Sequence, residues 1–376
     1  MAQLKNLLVV SERYPVEGEP VFTFLDELLV ALNSLGVNIT VISPQSATRL
    51  LFRNAVKTPR KWLRTTSDGG FWIHQPRYIS LSNKLKCLRS VNLTSYRRAV
   101  RRAALALDGD FDACYAHFWH SAVAAGLALP DKPLFVACGE HKVKPELAGD
   151  VRLILKSVKG VVSVSSVNKR DCAQIYGVSP DIVEIIPNAV DTDLFFPRND
   201  RDCTRRELGL SDGDMAIAFV GWFDERKGVK RLEAALKGLE DVKAVYIGYG
   251  AMVPTGDNIA YCARTPHDEI PRLLSACDAF ALPTRAEGCC NAIVEAMACG
   301  LPIISSDREF NDDILNDNNS LRVDPDDVDA IRRAVVILRD DEALREKLAR
   351  GSLESAKELG IRRRAQRIKE HIENRI

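Results

Sequence analysis

The sequence lacks several patterns that mark common classes of protein. None of its ten cysteines forms a C-x-x-C pair, so a structural zinc site is a poor interpretation. No apolar run is long enough to cross a bilayer, and the run 7–10 is too short for a signal peptide. The formal net charge of +1 gives no overall bias toward nucleic acid. These absences predict a cytoplasmic protein that keeps its cysteines reduced and has no nucleic-acid partner.

What the sequence does contain is a regular alternation of short apolar strands with amphipathic helical patterns. Its 376 residues are enough for two domains. Typical strands are NLLVV (6–10) in the first half and MAIAFVG (215–221) in the second. Continuous apolar strands that alternate with helices predict parallel sheets covered on both faces. The predicted fold class is therefore α/β, with two doubly wound Rossmann-like domains that face each other across a cleft.

The domain boundary is predicted in the segment 187–200, which has two prolines, several turn-forming residues and no periodicity. We therefore expect an N-terminal domain over 1–186 and a C-terminal domain over 187–360. A basic helical pattern follows, with no strand after it, and we expect 361–376 to pack back on the N-terminal domain. In such sheets, ligands bind at the carboxyl ends of the strands.

The segment AEGCCNAIVEAMACGLP (286–302) places Glu287 and Glu295 eight positions apart. Glu287 follows a predicted strand, and Asn291 is a suitable N-cap for the helix that carries Glu295. A helix start of this kind presents backbone amides, here those of Gly288, Cys289, Cys290 and Asn291. Such amides suit anions and sugar hydroxyls, and the two carboxylates suit a ribose diol and a second sugar. The alternative is an ordinary helix start with acids near its dipole.

Two further sets of polar residues follow predicted strands. Arg226 and Lys227, in FVGWFDERKGV, are suited to neutralising a diphosphate, although a solvated basic turn has the same pattern. His117 directly follows the strand DACYA and could bond a donor sugar or assist proton movement. His120 is equally possible by composition, and either histidine could be purely structural. Gly18, in the loop after the first strand, allows the backbone to approach a ligand closely.

The region 47–104 carries fourteen Lys and Arg residues and a single acid, Asp68. An excess of this size predicts a positive face that could dock on an anionic membrane surface. The alternative is a solvated helix face.

Several motifs in order resemble glycosyltransferase family 4, the retaining group 1 transferases of the GT-B fold. The motifs are EGCCNAIVEAMACGLPIISSD, IIPNAVDTDLFFP, FVGWFDERKGV, VYIGYGAM and PHDEIPRLLSACDAFALPTRAEG. The resemblance implies that Glu287 and His117 act at the transferred sugar. Together with the residues named above for their positions after predicted strands, the expected donor-binding residues are Gly18, Arg226, Lys227, Gly288, Cys289, Cys290, Asn291 and Glu295.

The resemblance implies a retaining enzyme that moves a sugar from a nucleotide-diphosphate sugar, with a UDP-sugar favoured, to an acceptor hydroxyl. The acceptor would be lipid-linked or a saccharide, in bacterial surface polysaccharide or glycolipid synthesis. No cofactor and no metal are expected. We expect the enzyme in the cytoplasm, peripheral at the inner face of the membrane.

Two residues depart from the family pattern. Trp222 stands where the family usually has an arginine, and Ala189 replaces a linker glycine. The missing cation motivates an alternative function, a non-catalytic sugar-nucleotide-binding partner of a synthase complex. A second alternative is a sugar-nucleotide epimerase on the same fold.

Overall fold

The computed structural model describes residues 2–16, 21–51, 56–81, 86–140 and 142–376. The chain divides into two compact units. We call Met1–Ile186 together with Ile361–Ile376 unit 1, and Pro187–Gly360 unit 2. Gly18, assigned above to donor binding, lies outside the described residues, as do parts of the basic region 47–104.

Unit 1 is built on an eight-stranded sheet with the strand order β10-β9-β8-β7-β1-β2-β5-β4, and β3 pairs with β6 in a separate small sheet. The strands are β1 (Asn6–Ser11), β2 (Asn38–Ile42), β3 (Gln45–Ser46), β4 (Lys61–Arg64), β5 (Phe71–His74), β6 (Arg77–Tyr78), β7 (Ala113–His117), β8 (Leu134–Cys138), β9 (Val158–Ser163) and β10 (Val183–Ile185). Neighbours in the large sheet pair in parallel except β4, which runs antiparallel to β5 at the edge. Every residue of β7 is buried, as expected for a central strand covered on both faces.

Helices cover both faces of this sheet. The first five helices of unit 1 are α1 (Thr23–Ser34), α2 (Lys86–Leu105), α3 (Trp119–Ala128), α4 (Ala148–Ile154) and α5 (Ser166–Asp171). A π-helical turn, Cys172–Tyr176, continues α5. Almost every residue of α3 is buried, because the helix packs between the sheet, α2 and α4.

Unit 2 holds a six-stranded sheet in the order β13-β12-β11-β14-β15-β16, with every described pair parallel. Its strands are β11 (Met215–Trp222), β12 (Val242–Tyr249), β13 (Ile259–Ala263), β14 (Ala279–Leu282), β15 (Ile303–Ser306) and β16 (Ser320–Val323). Its helices are α6 (Arg201–Glu207), α7 (Val229–Leu236), α8 (Ile270–Ser275), α9 (Asn291–Ala298), α10 (Val328–Asp340) and α11 (Glu342–Glu358). Aspartate side chains start the last two helices by accepting backbone amides: Asp327 from Ala330 and Asp341 from Leu344.

The last helix, α12 (Ile361–Glu373), belongs to unit 1. Ala365, Ile368 and Ile372 are fully buried in the core that α1 and β1 also form. At the other end of the chain, the Leu4 amide donates to Glu373 Oε1 at 2.9 Å.

The α/β class with two doubly wound sheets is therefore confirmed. The prediction missed β3 to β6 and α3. The amphipathic pattern at 145–158 predicts a helix; α4 occupies Ala148–Ile154, and β9 begins at Val158. The strands β4 and β6 of the basic region contain charged side chains and are only four and two residues long, so they form no apolar run that would predict a strand.

Candidate active site

The loop between β14 and α9 lies at the carboxyl edge of the sheet in unit 2. Glu287 in this loop is 11% exposed. One of its oxygens, Oε1, accepts from Arg226 Nη1 at 2.6 Å and from Thr284 Oγ1 at 3.0 Å. The same oxygen lies 2.8 Å from Lys227 Nζ. The structure thus brings Glu287, Arg226 and Lys227 together, with the two cations directed at the carboxylate.

Local backbone geometry places Lys227 in this cluster. Its amide donates to Asp224 Oδ1 at 2.8 Å, and Gly228 follows with φ +81°. A Cβ at Gly228 would collide with the carbonyl oxygen of Pro283 and would lie 2.7 Å from Arg231 Nη2. Glycine is required here both for its conformation and for the close approach of this loop to the end of β14.

The charge of Lys227 depends on the carboxylate beside it. Burial opposes the charge, but neighbouring Cys290 and Glu287 hold the pKa of Lys227 above its ordinary value. Burial also raises the pKa of the Cys290 thiol, so this group is neutral near neutral pH. We conclude that Glu287 is the group that keeps Lys227 protonated in its buried position.

The linker residue Asn188 holds the loop before α9 through hydrogen bonds from its side chain. Its Nδ2 donates to Cys289 O at 2.9 Å and to Asn291 Oδ1 at 2.7 Å. The prediction that Asn291 is the N-cap was wrong: Cys290 holds that position in an extended conformation, and Asn291 is the first helical residue. The Asn291 side chain is instead engaged by Asn188. Sequence reasoning missed this role, although Asn188 is part of the linker motif.

Glu295 lies on α9, one turn beyond Asn291, and is 12% exposed. Its Oε1 lies 3.1 Å from Nε2 of His267, the residue at the start of the turn that leads into α8. His267 was not singled out from the sequence, because a single histidine in a helix start carries no distinctive spacing. Gly288 precedes the helix in the same loop as Cys289 and Cys290.

An aromatic pair marks the carboxyl ends of two neighbouring strands. Trp222 ends β11 and Tyr249 ends β12, with ring centroids 4.3 Å apart. Both rings are about half exposed, at 52% and 43%. The Arg264 guanidinium lies over the other ring, 4.8 Å from the Tyr249 centroid. Trp222, which stands where the family usually has an arginine, is therefore part of an exposed, tilted aromatic pair.

His117 ends β7 in unit 1 and is buried. The rings of Phe22, Phe24 and Phe118 surround it at centroid distances of 4.1–5.6 Å. Burial, with a smaller contribution from Arg364, lowers the pKa of His117 to about 3, so the imidazole is neutral. Among the described residues, neither of its ring nitrogens has a hydrogen-bond partner. A neutral histidine of this kind can donate one hydrogen bond from one ring nitrogen and accept one at the other, but it supplies no charge.

The backbone around His117 is unusual. Phe22 and Phe118 both contact its ring, and they are the non-glycine residues with positive φ in the described part of the chain, at 62° and 68°. Such conformations cost about 1–3 kcal/mol each and concentrate at functional sites.

His120 lies in α3, where its Nδ1 is 2.7 Å from Glu12 Oε1 and its ring packs on Tyr96 at 4.7 Å. Both Glu12 and His120 line a pocket of about 650 Å³ in unit 1. His117 and His120 therefore have different surroundings, one apolar and one polar.

Two arginines of the basic region 47–104 pair with acids of unit 1. Arg64 pairs with Asp26 at 2.7 Å, and Arg97 pairs with Asp150 at 2.6 Å. Within the described ranges, no helix combines the length and the apolar character needed to cross a membrane. The same residues include no group of three or more His, Cys, Asp or Glu that could hold a metal ion. The expected independence of metal stays a prediction.

Comparisons with known proteins identify the family. A model described as Glycosyl transferases group 1 matches residues 200–354, and one described as Glycosyltransferase Family 4 matches residues 21–194. The chain belongs to glycosyltransferase family 4. The two family models fall on the two units, so the family assignment extends over both sheets.

Individual relatives of this family-4 protein are distant. A D-inositol 3-phosphate glycosyltransferase of Segniliparus rotundus is 26% identical over 178 residues, which are 43% of this chain and 39% of that protein. The Bacillus subtilis protein TuaC, named for teichuronic acid biosynthesis, is 24% identical over 350 residues, with 88% of each chain covered. With several curated relatives the chain spans only part of their length, between 39% and 55%.

A solved structure shares the fold. The Anabaena protein HepE in complex with UDP-glucose superposes with a TM-score of 0.69 at 16% identity, covering 97% of this chain and 98% of that one. At this identity the likeness supports the GT-B fold and no more.

Proposed function

We propose that this family-4 protein is a retaining glycosyltransferase that moves a sugar from a nucleotide-diphosphate sugar to an acceptor hydroxyl. The observation that carries the proposal is the cluster of Glu287, Arg226 and Lys227 at the carboxyl edge of the sheet in unit 2. Parallel sheets of this kind bind ligands at that edge.

The cluster suits the charges that develop during transfer. As the bond between the anomeric carbon and the diphosphate oxygen breaks, negative charge grows on the leaving group. Lys227, Arg226 and the N-terminus of α9 supply positive charge and amide donors for it. Glu287 would accept hydroxyls of the sugar. The leaving phosphate would take the proton from the acceptor hydroxyl as the new bond forms on the same face, so no separate base is needed.

Two further considerations support the donor and the pathway class. Glu295, a largely buried carboxylate on α9, suits the diol of a ribose. We favour a UDP-sugar as the donor because HepE, which shares the fold, binds UDP-glucose in its solved structure. TuaC is named for teichuronic acid biosynthesis, which supports synthesis of a bacterial surface polysaccharide or glycolipid. We place the enzyme in the cytoplasm at the inner face of the membrane, without a metal requirement.

A thermal-shift screen of the full chain against UDP-, GDP- and ADP-sugars tests the donor proposal. A UDP-sugar should raise the unfolding temperature, and Glu295→Ala should reduce this rise. The matched control is Glu346→Ala, which removes an exposed carboxylate from α11. Equal responses of the two variants would reject Glu295 as a donor contact. Determining the anomeric configuration of the product by NMR would then decide between retention and inversion.

Trp222 motivates one alternative, a sugar-nucleotide-binding partner without catalytic activity. Trp222 offers an exposed ring where the family usually has a cation, which weakens the expected hold on the diphosphate. Donor binding without transfer or hydrolysis by the purified chain would favour this alternative. Release of nucleotide diphosphate in step with acceptor glycosylation would exclude it.

A further inference from the structure

A single carboxylate oxygen contacts both cations of the donor cluster in unit 2. Glu287 Oε1 accepts from Arg226 Nη1 at 2.6 Å and lies 2.8 Å from Lys227 Nζ. These are the two cations that the proposed function assigns to the diphosphate of the donor. The carboxylate therefore holds them in the way that a phosphate oxygen of the ligand would, since both are anionic acceptors of charged hydrogen bonds.

Both cations have anchors that do not involve this carboxylate. Arg226 Nη1 also donates to the carbonyl oxygen of Ala286 at 2.8 Å. The backbone amide of Lys227 donates to Asp224 Oδ1 at 2.8 Å, and its Nζ lies 3.7 Å from Cys290 Sγ. The cations therefore stay in place when the carboxylate moves away. The Arg226 side chain is 36% exposed, so an anion from solution can reach it.

The contacts of Glu287 are of a kind that a ligand can replace. Besides the two cations, its Oε1 accepts from the buried hydroxyl of Thr284 at 3.0 Å. Rotation of the Glu287 side chain is enough to exchange this set of donors for others, such as the hydroxyls of a sugar. A phosphate that displaces the carboxylate has to compete with three donors that are already engaged.

Donor and product of the proposed reaction differ in charge at this point. A nucleotide-diphosphate sugar carries one negative charge on each phosphate. Release of the sugar leaves a terminal phosphate whose second ionisation lies at about pH 6, so the product gains negative charge near neutral pH. Two fixed cations by themselves would therefore bind the product more tightly than the donor.

We propose that Glu287 is a specificity-determining residue that lowers the affinity of the site for the nucleoside diphosphate product. With the donor bound, the carboxylate turns from the cations to the hydroxyls of the sugar. Once the sugar has left with the acceptor, Glu287 returns to Arg226 and Lys227 and competes with the phosphate there. The inference rests on the proposed function, because it assigns the same cations to the diphosphate.

The exchange is compatible with a charged Lys227 at each stage. Burial opposes this charge, and Glu287 is one of the groups that hold the pKa of Lys227 above its ordinary value. A diphosphate that displaces Glu287 brings negative charge of its own to the same ammonium group. The buried lysine thus has an anionic partner with the site empty and with the site filled.

Calorimetry of the full chain with UDP and with inorganic pyrophosphate tests the proposal at a single pH. Glu287→Gln keeps the size of the side chain and removes the competing charge. It should bind both probes about 10-fold more tightly than the wild type, because the freed donors then serve the phosphate. The affinity for UDP-glucose should gain less, since the contact with the sugar is weakened. Unchanged or weaker binding of pyrophosphate overturns the proposal.

A second variant carries the same test without removing a charge. Thr284→Val takes away the hydroxyl that helps to hold Glu287 Oε1 on the cations. Both probes should bind about 2- to 5-fold more tightly, because one neutral hydrogen bond is lost. Urea unfolding shows whether each variant is folded. A folded Thr284→Val with wild-type affinity for pyrophosphate would contradict the competition.

Glu295→Gln is the matched control, since it makes the same chemical change in a carboxylate that contacts His267 instead of the cations. Its affinity for pyrophosphate should stay close to that of the wild type. Its affinity for UDP should fall, because the proposed function gives Glu295 the ribose. A pyrophosphate gain equal to that of Glu287→Gln would show a general effect of charge and overturn the specific competition.

The two probes also separate this proposal from the proposed function. A wild type that transfers sugar, with no gain for UDP or pyrophosphate in Glu287→Gln, would reject the competition and leave the proposed function standing. A chain that neither transfers sugar nor binds UDP, but binds pyrophosphate more tightly as Glu287→Gln, would reject the proposed function alone. Tighter binding of UDP without pyrophosphate would place the effect away from the cations and overturn the proposal.

Discussion

In unit 2, the charged side chains of the candidate site contact one another: Glu287 lies against Arg226 and Lys227, and Glu295 lies against His267. In unit 1, by contrast, the pocket is lined by more cations than acids, and nearby His117 is neutral among aromatic rings. The first site has its charges balanced within the protein, and the second has an excess of one sign.

This difference indicates how far each site is held in place by the protein itself before a ligand binds. A balanced cluster holds its side chains in place and keeps Lys227 charged despite burial. A pocket with more cations than acids in its lining favours a ligand of opposite charge, so its affinity should vary with ionic strength. We expect unit 2 to set the electrostatics of the chemical step, and unit 1 to select the acceptor by its charge.

The largest test of this comparison is Glu287→Gln, which keeps the size of the side chain and removes its charge. Under the proposed function, transfer should fall about 100- to 1,000-fold, because Glu287 contacts both cations of the candidate site. The loss is measured as kcat/KM for the transferred sugar.

Glu240→Gln provides the control for this variant, since it removes a charge just before β12, at the opposite edge of the same sheet. The substitution Glu287→Gln should lower the free energy of unfolding by about 1–3 kcal/mol. Unchanged turnover would remove Glu287 from the active site.

A smaller effect is expected for Gly228→Ala, which tests whether tight backbone packing positions Lys227. Its Cβ would meet the Pro283 carbonyl, so the free energy of unfolding should fall by about 2–4 kcal/mol and donor affinity should weaken. Gly238→Ala is matched in backbone conformation, with φ +74°, but has open space around the added carbon. It should cost only about 1–2 kcal/mol in chemical denaturation and leave donor affinity unchanged.

The third test concerns the neutral state of His117. The unfolded chain protonates this group near pH 6.5, while the folded chain resists protonation down to about pH 3. The unfolded state therefore binds more protons, and this group makes stability fall as the pH drops through that window. In His117→Leu, the loss of stability between pH 6.5 and about pH 5 should be smaller by about 1.5 kcal/mol.

Urea unfolding at several pH values measures this difference. Phe24→Leu disturbs the same ring cluster without removing a titrating group, and should keep the wild-type slope. The same slope in His117→Leu would show that His117 titrates normally in the folded protein.

The smallest expected effect is that of Trp222→Arg, which would bring the charge balance of unit 2 closer to the family pattern. The side chain is half exposed, so stability should change by less than about 0.5 kcal/mol. A cation here should tighten donor binding about threefold by calorimetry. Trp222→Leu removes the ring without adding charge, and weaker binding in both variants would mean that the indole itself contacts the donor.

The sequence predicted the sheets well because the central strands are continuous apolar runs, as in β7 and β11. It also brought Glu287, Arg226 and Lys227 forward as candidates, since each follows a strand. It could not show that the two cations pair with Glu287, because a pairing between distant segments leaves no local pattern. The support of Asn188 for the loop before α9 escaped for the same reason.

Unit 1 was harder to predict. Its pocket draws on short polar strands and on segments that are far apart in the chain, so no single motif marks it. Gly18 lies outside the described residues, and its assignment remains a prediction.

The return of α12 to unit 1 has a consequence for synthesis on the ribosome. Residues of α1 and β1 emerge early, but Ile368 and Ile372, which complete their core, emerge after all of unit 2. Unit 2 is continuous in sequence and can finish folding while the earlier half is still incomplete. The half that begins first is therefore completed last, and until then its nascent apolar surface is a natural target for chaperones.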